Sequence, residues 1–158
     1  MPKVHKLKDI HIKKENITLD IDMDRMERNL NRAQYALDSA VMHSMEPFMP
    51  MQTGGGGFIG VTRGMSAAIA GSGKVYAAAP PYGQFLYEGK TMVDEKTGSP
   101  YARKYAKKVL VSQFGGKTNA REDLQYARKG ATDHWFEAAK EKDLDEWQKV
   151  VDRQMAKK

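Results

Sequence analysis

The feature that most constrains the fold is an apolar stripe. Met26, Leu30, Ala33, Leu37, Val41 and Met45 recur at steps of three or four, while Arg25, Arg28, Arg32 and Asp38 lie between them. That spacing predicts an amphipathic helix of about six turns that must bury one side against the rest of the chain. Asp22 or Asp24 offers an N-cap, and Glu27 sits three residues after Asp24 as in a capping box. Pro47 and Pro50 end the helix, because proline lacks the N–H and disfavours helix in the residue before it.

Around this helix the chain alternates patterns. "ITLDID", residues 17–22, has the period-two alternation of a half-buried strand. Two runs of small residues, Ser66 to Ala70 and Lys74 to Ala79, flank Gly71-Ser72-Gly73 and predict a hairpin whose alanines let a helix pack close. In "YGQFLYEG", Tyr82, Phe85 and Leu86 share one face of a short helical turn, with Gly89 as its C′ residue. "DEKTGSP" is turn chemistry, "KKVLVSQF" is a strand candidate, and Gly115 to Gly130 reads as a long loop with a helical turn near Arg121 to Ala127. Thr132 or Asp133 caps a last helix, with Phe136, Ala139, Leu144, Trp147, Val151 and Met155 as its buried side; the phase slips at Lys140 to Asp143. Trp135 and Trp147 are expected to anchor it on the sheet.

The order of these patterns predicts an α+β fold with long flexible loops. Residues 1–16 read as a basic arm and 17–158 as a single domain, a length sufficient for a core. No cysteine is present, which excludes disulfides and thiolate chemistry, and no apolar run is long enough to span a bilayer. A soluble protein made in a cytoplasm is expected, with no membrane partner.

Charge is unevenly distributed. Residues 1–14 carry five lysines against Asp9, and residues 101–130 carry eight Lys/Arg against Glu122 and Asp123, a net excess equal to the whole chain's +6. The latter segment interleaves Arg103, Lys104, Lys107 and Lys108 with Tyr101 and Tyr105. Such a run is either a solvated interaction surface or a phosphate-contacting strip for nucleic acid. Gly54, Gly55, Gly56 and Gly57 form a loop that is either a plain connector or a segment that orders on meeting a partner chain.

Catalytic signatures fall short by their spacing. Gly89-Lys90-Thr91 follows Gly83 after five residues, where a phosphate-binding loop needs four; Gly71 to Lys74 and Gly115 to Thr118 lack the early glycine. Ser66 in "GMSAA" lacks the second glycine of a nucleophile elbow, and His5, His11, His43 and His134 show no metal-ligand spacing. Asp94-Glu95 and Asp145-Glu146 read as solvated pairs. No enzyme activity, catalytic residue, cofactor or metal is expected.

A helix ending near "PFMPMQTGG", then "VTRGMSAAIAG", "KVYAAAPPYGQFLYEGKTMVDEKTGSPYARKYAKKV" and "ATDHWFEAAK" before the last helix, resembles the minor capsid proteins of tailed bacteriophages of Gram-positive bacteria. More distantly it is similar to phage tail-completion and head-to-tail joining proteins. The resemblance spans residues 17–155, and its most specific parts are the Pro-Tyr-Gly-x-Phe-Leu-Tyr-Glu-Gly run and the His-Trp-Phe-Glu-x-Ala helix start. The glycines up to Gly57 depart from the family's usual Thr-Gly turn. The resemblance implies an α+β fold in which a small, mostly antiparallel curved sheet is packed by a long N-terminal helix and a C-terminal helix. It also implies a structural virion protein in the neck between capsid and tail, assembled in the host cytoplasm. It further implies a homo-oligomer ring, six- or twelve-fold, around the DNA channel. Its neighbours would be the portal-side connector and the tail terminator or tail tube proteins, with non-specific contact to the phage genome. A free-standing DNA-binding module using residues 101–130 is the alternative.

Overall fold

The computed structural model describes residues 5–50, 57–80, 82–101 and 103–157. Strands β1 (Ile10–Lys14) and β2 (Ile17–Ile21) precede α1 (Asp24–Met45), α2 (Phe58–Ile69) and α3 (Gly83–Tyr87); β3 (Met92–Asp94), β4 (Lys108–Leu110) and α4 (Trp135–Met155) follow. The fold is α+β, and its long N-terminal helix packs on the C-terminal one. Among the described residues the strands form two separate antiparallel pairs, β1–β2 and β3–β4, where sequence suggested one sheet. Contacts gather the chain into two compact units: Met1–Ser44 with Arg63–Tyr76 and Ala139–Lys158, and Met45–Thr62 with Ala77–Ala138.

In the first unit, α1 begins and ends where the stripe and the prolines predict. It lies antiparallel to the later part of α4. Near the start of α1, the buried Asn29 donates through Nδ2 to the carbonyls of Met155 (3.1 Å) and Lys157 (2.8 Å). At its other end Trp147 Nε1 donates to Ser44 Oγ at 2.9 Å. The Asn29 bonds satisfy carbonyls at and just beyond the end of α4, where no further turn does so. Trp147 therefore anchors α4 on a helix, a correction to the sheet expected beneath it. Ala33, Val41, Met42, Ala70 and Ala139 are buried in the same unit. Leu144 is a second correction: it is half exposed, because the phase slip carries the buried side of α4 from Ala139 to Trp147 through Asp143.

The small-residue hairpin is not formed. Residues 58–69 are helical, and the glycines after them make the helix exit: Gly71 and Gly73 have φ of 90° and 75°. In the run Ser66 to Ala70 only Ile69 is β-branched, and alanine has the highest intrinsic helix propensity, so little strand preference resists the helix there. The exit is held by Asp38, which sequence placed on the solvent side of α1. Its carboxylate is buried, and it accepts the N–H groups of Gly71 (2.7 Å) and Gly73 (3.1 Å) and the Gln34 amide (2.8 Å).

In the second unit, Trp135 has no exposed surface and packs edge-on against Phe58 and Tyr87, with ring centroids 5.7 and 4.8 Å away. Its indole N–H donates to the Ala77 carbonyl at 2.7 Å. Helix α4 starts at Trp135, after His134 at φ 44°, so it begins beyond both candidate caps. The Thr62 hydroxyl donates to Phe58 O (2.8 Å) and accepts the Ala79 N–H (3.2 Å), tying the chain that follows α2 back to its first turn. Arg128 donates to the carbonyls of Glu46 (2.7 Å) and Met49 (3.2 Å), completing the chain where α1 gives way to a 3-10 turn at Glu46–Phe48. Residues 121–127 form no helix; Lys90 and Asp123 make an isolated antiparallel bridge there instead.

Burial ranks these side chains. Replacing Trp135 by alanine is expected to lower the unfolding free energy by about 3–5 kcal/mol, as for other buried aromatic truncations. Leu144→Ala is expected to stay within about 0.5 kcal/mol of the parent, as for surface changes. Urea unfolding followed by far-ultraviolet circular dichroism measures both.

Candidate interaction site

The Gly-Lys-Thr segment is a helix exit. Gly89 has φ 67°; its N–H donates to Leu86 O at 3.3 Å and the Lys90 N–H reaches Phe85 O at 2.9 Å. That pair of bonds is a Schellman motif, in which the left-handed residue is usually glycine because it carries no Cβ. Lys90 Nζ then turns to Asp123 Oδ1 at 2.7 Å. Asp123 raises the Lys90 pKa, by hydrogen bond first and by charge second.

From this exit the chain enters β3, whose last residue organises the basic segment. Asp94 was expected in a solvated turn, yet it has no exposed surface. Its Oδ1 accepts the N–H groups of Lys96 (2.8 Å) and Thr97 (3.2 Å) and Arg103 Nη2 (3.2 Å), while Oδ2 accepts Arg103 Nε at 3.1 Å. The Arg103 guanidinium, followed by the Lys96 N–H, holds this carboxyl well below the usual carboxylate range against the opposing effect of burial. A two-pronged Arg–carboxylate contact has fixed geometry as well as strength. It ties Arg103 back to the end of β3. Gly98, at φ 67°, completes the turn, and a Cβ there would lie 2.5 Å from the Phe114 ring. Thr118 Oγ1 donates to the Gly98 carbonyl at 2.5 Å.

The proposed contact residues are thus placed differently from one another. Arg103 is half exposed but committed to Asp94. Lys107 pairs with Glu95 at 3.0 Å, and Lys108 Nζ donates to the Pro100 carbonyl at 3.1 Å. Lys104 lies 5.1 Å from the centre of the Tyr105 ring, on its face. Tyr101 and Tyr105 are 89% and 93% exposed, the most open large hydrophobic side chains among the described residues. Gly57 accepts the Val61 N–H at the start of α2, and Gly54, Gly55 and Gly56 lie outside the described residues.

One surface was not anticipated from sequence. A groove of about 550 Å³ is lined by Phe58, Val61, Ala79, Tyr82, Leu86, Met92, Pro100 and Leu124, with Lys90, Thr91 and Lys108 as its polar members. Pro100 lines the groove, and Lys108 of β4, which also lines it, donates to the Pro100 carbonyl, so the groove borders the segment after β3. The residues come from α2, α3, β3 and β4 and from loops, which is why no periodic signal announced them. The floor is held by Tyr126, whose hydroxyl donates to Leu86 O at 2.5 Å; burial, with the nearby Asp133 charge, pushes its pKa up to about 12.

An apolar concavity beside outward aromatic and cationic side chains has the composition of a protein–protein contact. Among the described residues no group of three or more His, Cys, Asp or Glu side chains is placed to hold a metal ion. Among the same residues no helix is long and apolar enough to cross a membrane. Comparison with protein-family models, curated proteins and solved structures gave no match.

The clamp sets a pH dependence. Because the Asp94 pKa is depressed in the folded state, its contribution to stability is complete above the ordinary Asp value of about 3.9. It drains away as pH falls below that value toward the folded one. Asp94→Asn is therefore expected to be less stable than the parent at neutral pH, with the gap in urea midpoint constant down to about pH 5 and narrowing below about pH 4. Unfolding curves of both proteins across that range test this.

Proposed function

We propose that this chain is a structural protein of the bacteriophage neck, a minor capsid or tail-completion protein that forms a ring around the DNA channel and joins capsid to tail. The observation that carries the reading is the pair of tyrosines flanking Arg103: the buried Asp94 carboxylate holds Arg103, while Tyr101 and Tyr105 stand almost fully in solvent. Aromatic side chains open to solvent beside a fixed backbone point suit a contact with a partner protein. The apolar groove beside them supplies the concave half of such a contact. The sequence resemblance assigns the partners: further copies of the chain, the portal-side connector and the tail terminator or tube. The working location is the neck of the virion.

The second reading, non-specific DNA binding, is favoured by Lys104 beside Tyr105 and by the exposed Lys117, Arg121 and Lys129. It is weakened by Arg103 and Lys107, whose charges are met by Asp94 and Glu95. Each phosphate contact adds to the salt dependence of DNA affinity. A shallow dependence is expected here, in keeping with few free cations, and a steep fall in affinity with added salt would instead support the DNA module.

The decisive experiment is genetic complementation. Phage lacking the gene are expected to accumulate separate filled heads and tails in electron micrographs. A Tyr101→Ala/Tyr105→Ala protein is expected to fold with an unchanged melting temperature and fail to restore joining. Normal joining in its absence would refute the proposal.

A further inference from the structure

The β1–β2 hairpin has a composition that a solitary hairpin does not need. Its register pairs Ile10 with Ile21, Ile12 with Leu19 and Lys14 with Ile17, which places all five aliphatic side chains on one face. Every one of them is exposed, from 38% for Ile21 to 72% for Ile17. Two strands alone are marginally stable in water, and an open row of N–H and C=O groups beside an apolar face is a template for another strand. Among the described residues neither outer edge of the hairpin is paired.

Charge identifies what fits that edge. Residues 5–14, leading into and forming β1, carry Lys6, Lys8, Lys13 and Lys14 against Asp9. Residues 15–24, forming β2 and the entry to α1, carry Glu15, Asp20, Asp22 and Asp24 and no lysine or arginine. The ribbon is basic along one edge and acidic along the other. Such an object is complementary to itself by translation: the acidic edge of one copy faces the basic edge of the next. The hairpin's base is tethered, with the Met23 N–H on Asp9 Oδ1 (2.9 Å) and His5 bonded in both directions to Asn31 (3.2 and 3.1 Å), so its direction relative to α1 is defined.

We propose that the β1–β2 hairpin is the seam between copies of this chain, β2 of one copy pairing antiparallel with β1 of the next. The inference rests on the ring reading above and names the surface by which the ring closes. With all hairpins pointing the same way, every new junction is antiparallel like the one inside each hairpin. The apolar faces then fall on one side, and each aliphatic residue gains a second cross-strand neighbour. The interface is heterologous, so it propagates until rotation closes it. Edge pairing also removes the aggregation hazard of an open strand.

The test is charge exchange, read as native mass of the full chain at low ionic strength. The parent is expected to associate in a concentration- and salt-dependent manner. Lys13→Glu/Lys14→Glu and Asp20→Lys/Asp22→Lys are each expected to weaken self-association by on the order of tenfold or more, since each brings like charges together. Mixing the two variants is expected to restore assembly, because each reversed edge then meets its complement. Asp22 also accepts the Asp24 N–H at 2.8 Å at the start of α1, so helix content is checked alongside. Ile12→Lys/Leu19→Lys, remote from that cap, provides the second probe and is expected to abolish assembly without changing the melting of the helices. A parent that stays monomeric at all concentrations, or a ring unaffected by these changes, overturns the seam; the latter leaves the neck reading intact. Joined heads and tails in phage lacking the gene would overturn the neck reading instead.

Discussion

The Asp94 carboxylate receives two prongs of Arg103 and three backbone N–H groups while wholly removed from water. Its role follows from a constraint on the whole chain: the regular elements are few and β3 and β4 have three residues each, so sheet ladders satisfy only a small part of the backbone. Buried peptide groups must nevertheless be paired. Polar side chains supply what strands do not. Asp38 closes the exit of α2, Thr62 holds Ala79, Arg128 finishes the chain after α1, and Asn29 takes the last carbonyls near the end of α4. The two buried carboxylates, Asp94 and Asp38, are tolerated because donors surround them, and losing those donors would leave a desolvated charge without compensation.

This economy bears on function. The cations that look free in a list of residues are unequal once folded: Arg103 is a structural tie, Lys107 and Lys90 face carboxylates, and Lys104 lies on a tyrosine ring. The positive segment is thereby partly neutralised in place, and it offers outward the tyrosines Tyr101 and Tyr105 together with its remaining exposed cations. A strip built to hold phosphate would keep its charges unpaired until the ligand arrived. The exposed aliphatic face of the hairpin has the same character, an apolar surface that the chain does not cover for itself. Both point toward contact with other polypeptides.

The parts of the fold legible in advance were those with local causes. The apolar stripe and the prolines delimit α1, and Gly89 after one helical turn requires nothing beyond its neighbours. Valine and leucine together favour the strand β4. By contrast β1 was hidden because its lysines suggested a solvated arm, and only the register with β2 reveals that Ile10 and Ile12 share a face with Leu19 and Ile21. Helix α2 was hidden because alanine, serine and glycine runs fit a hairpin and a capped helix alike. The interaction groove drew on residues from 58 to 124, a separation that periodicity does not sense.

Sequence alone thus determined the long helix, its ends, the tight exit at Gly89 and the α+β class, since these follow from side-chain spacing and backbone stereochemistry within a few residues. Tertiary structure alone decided which carboxylates are buried and which cations remain available. Asp94 and Asp38 have the same local chemistry as any turn or helix aspartate, and their fate depends on donors nine and more than thirty residues away. Burial of a charge is a property of its completed surroundings, which no short stretch of chain contains.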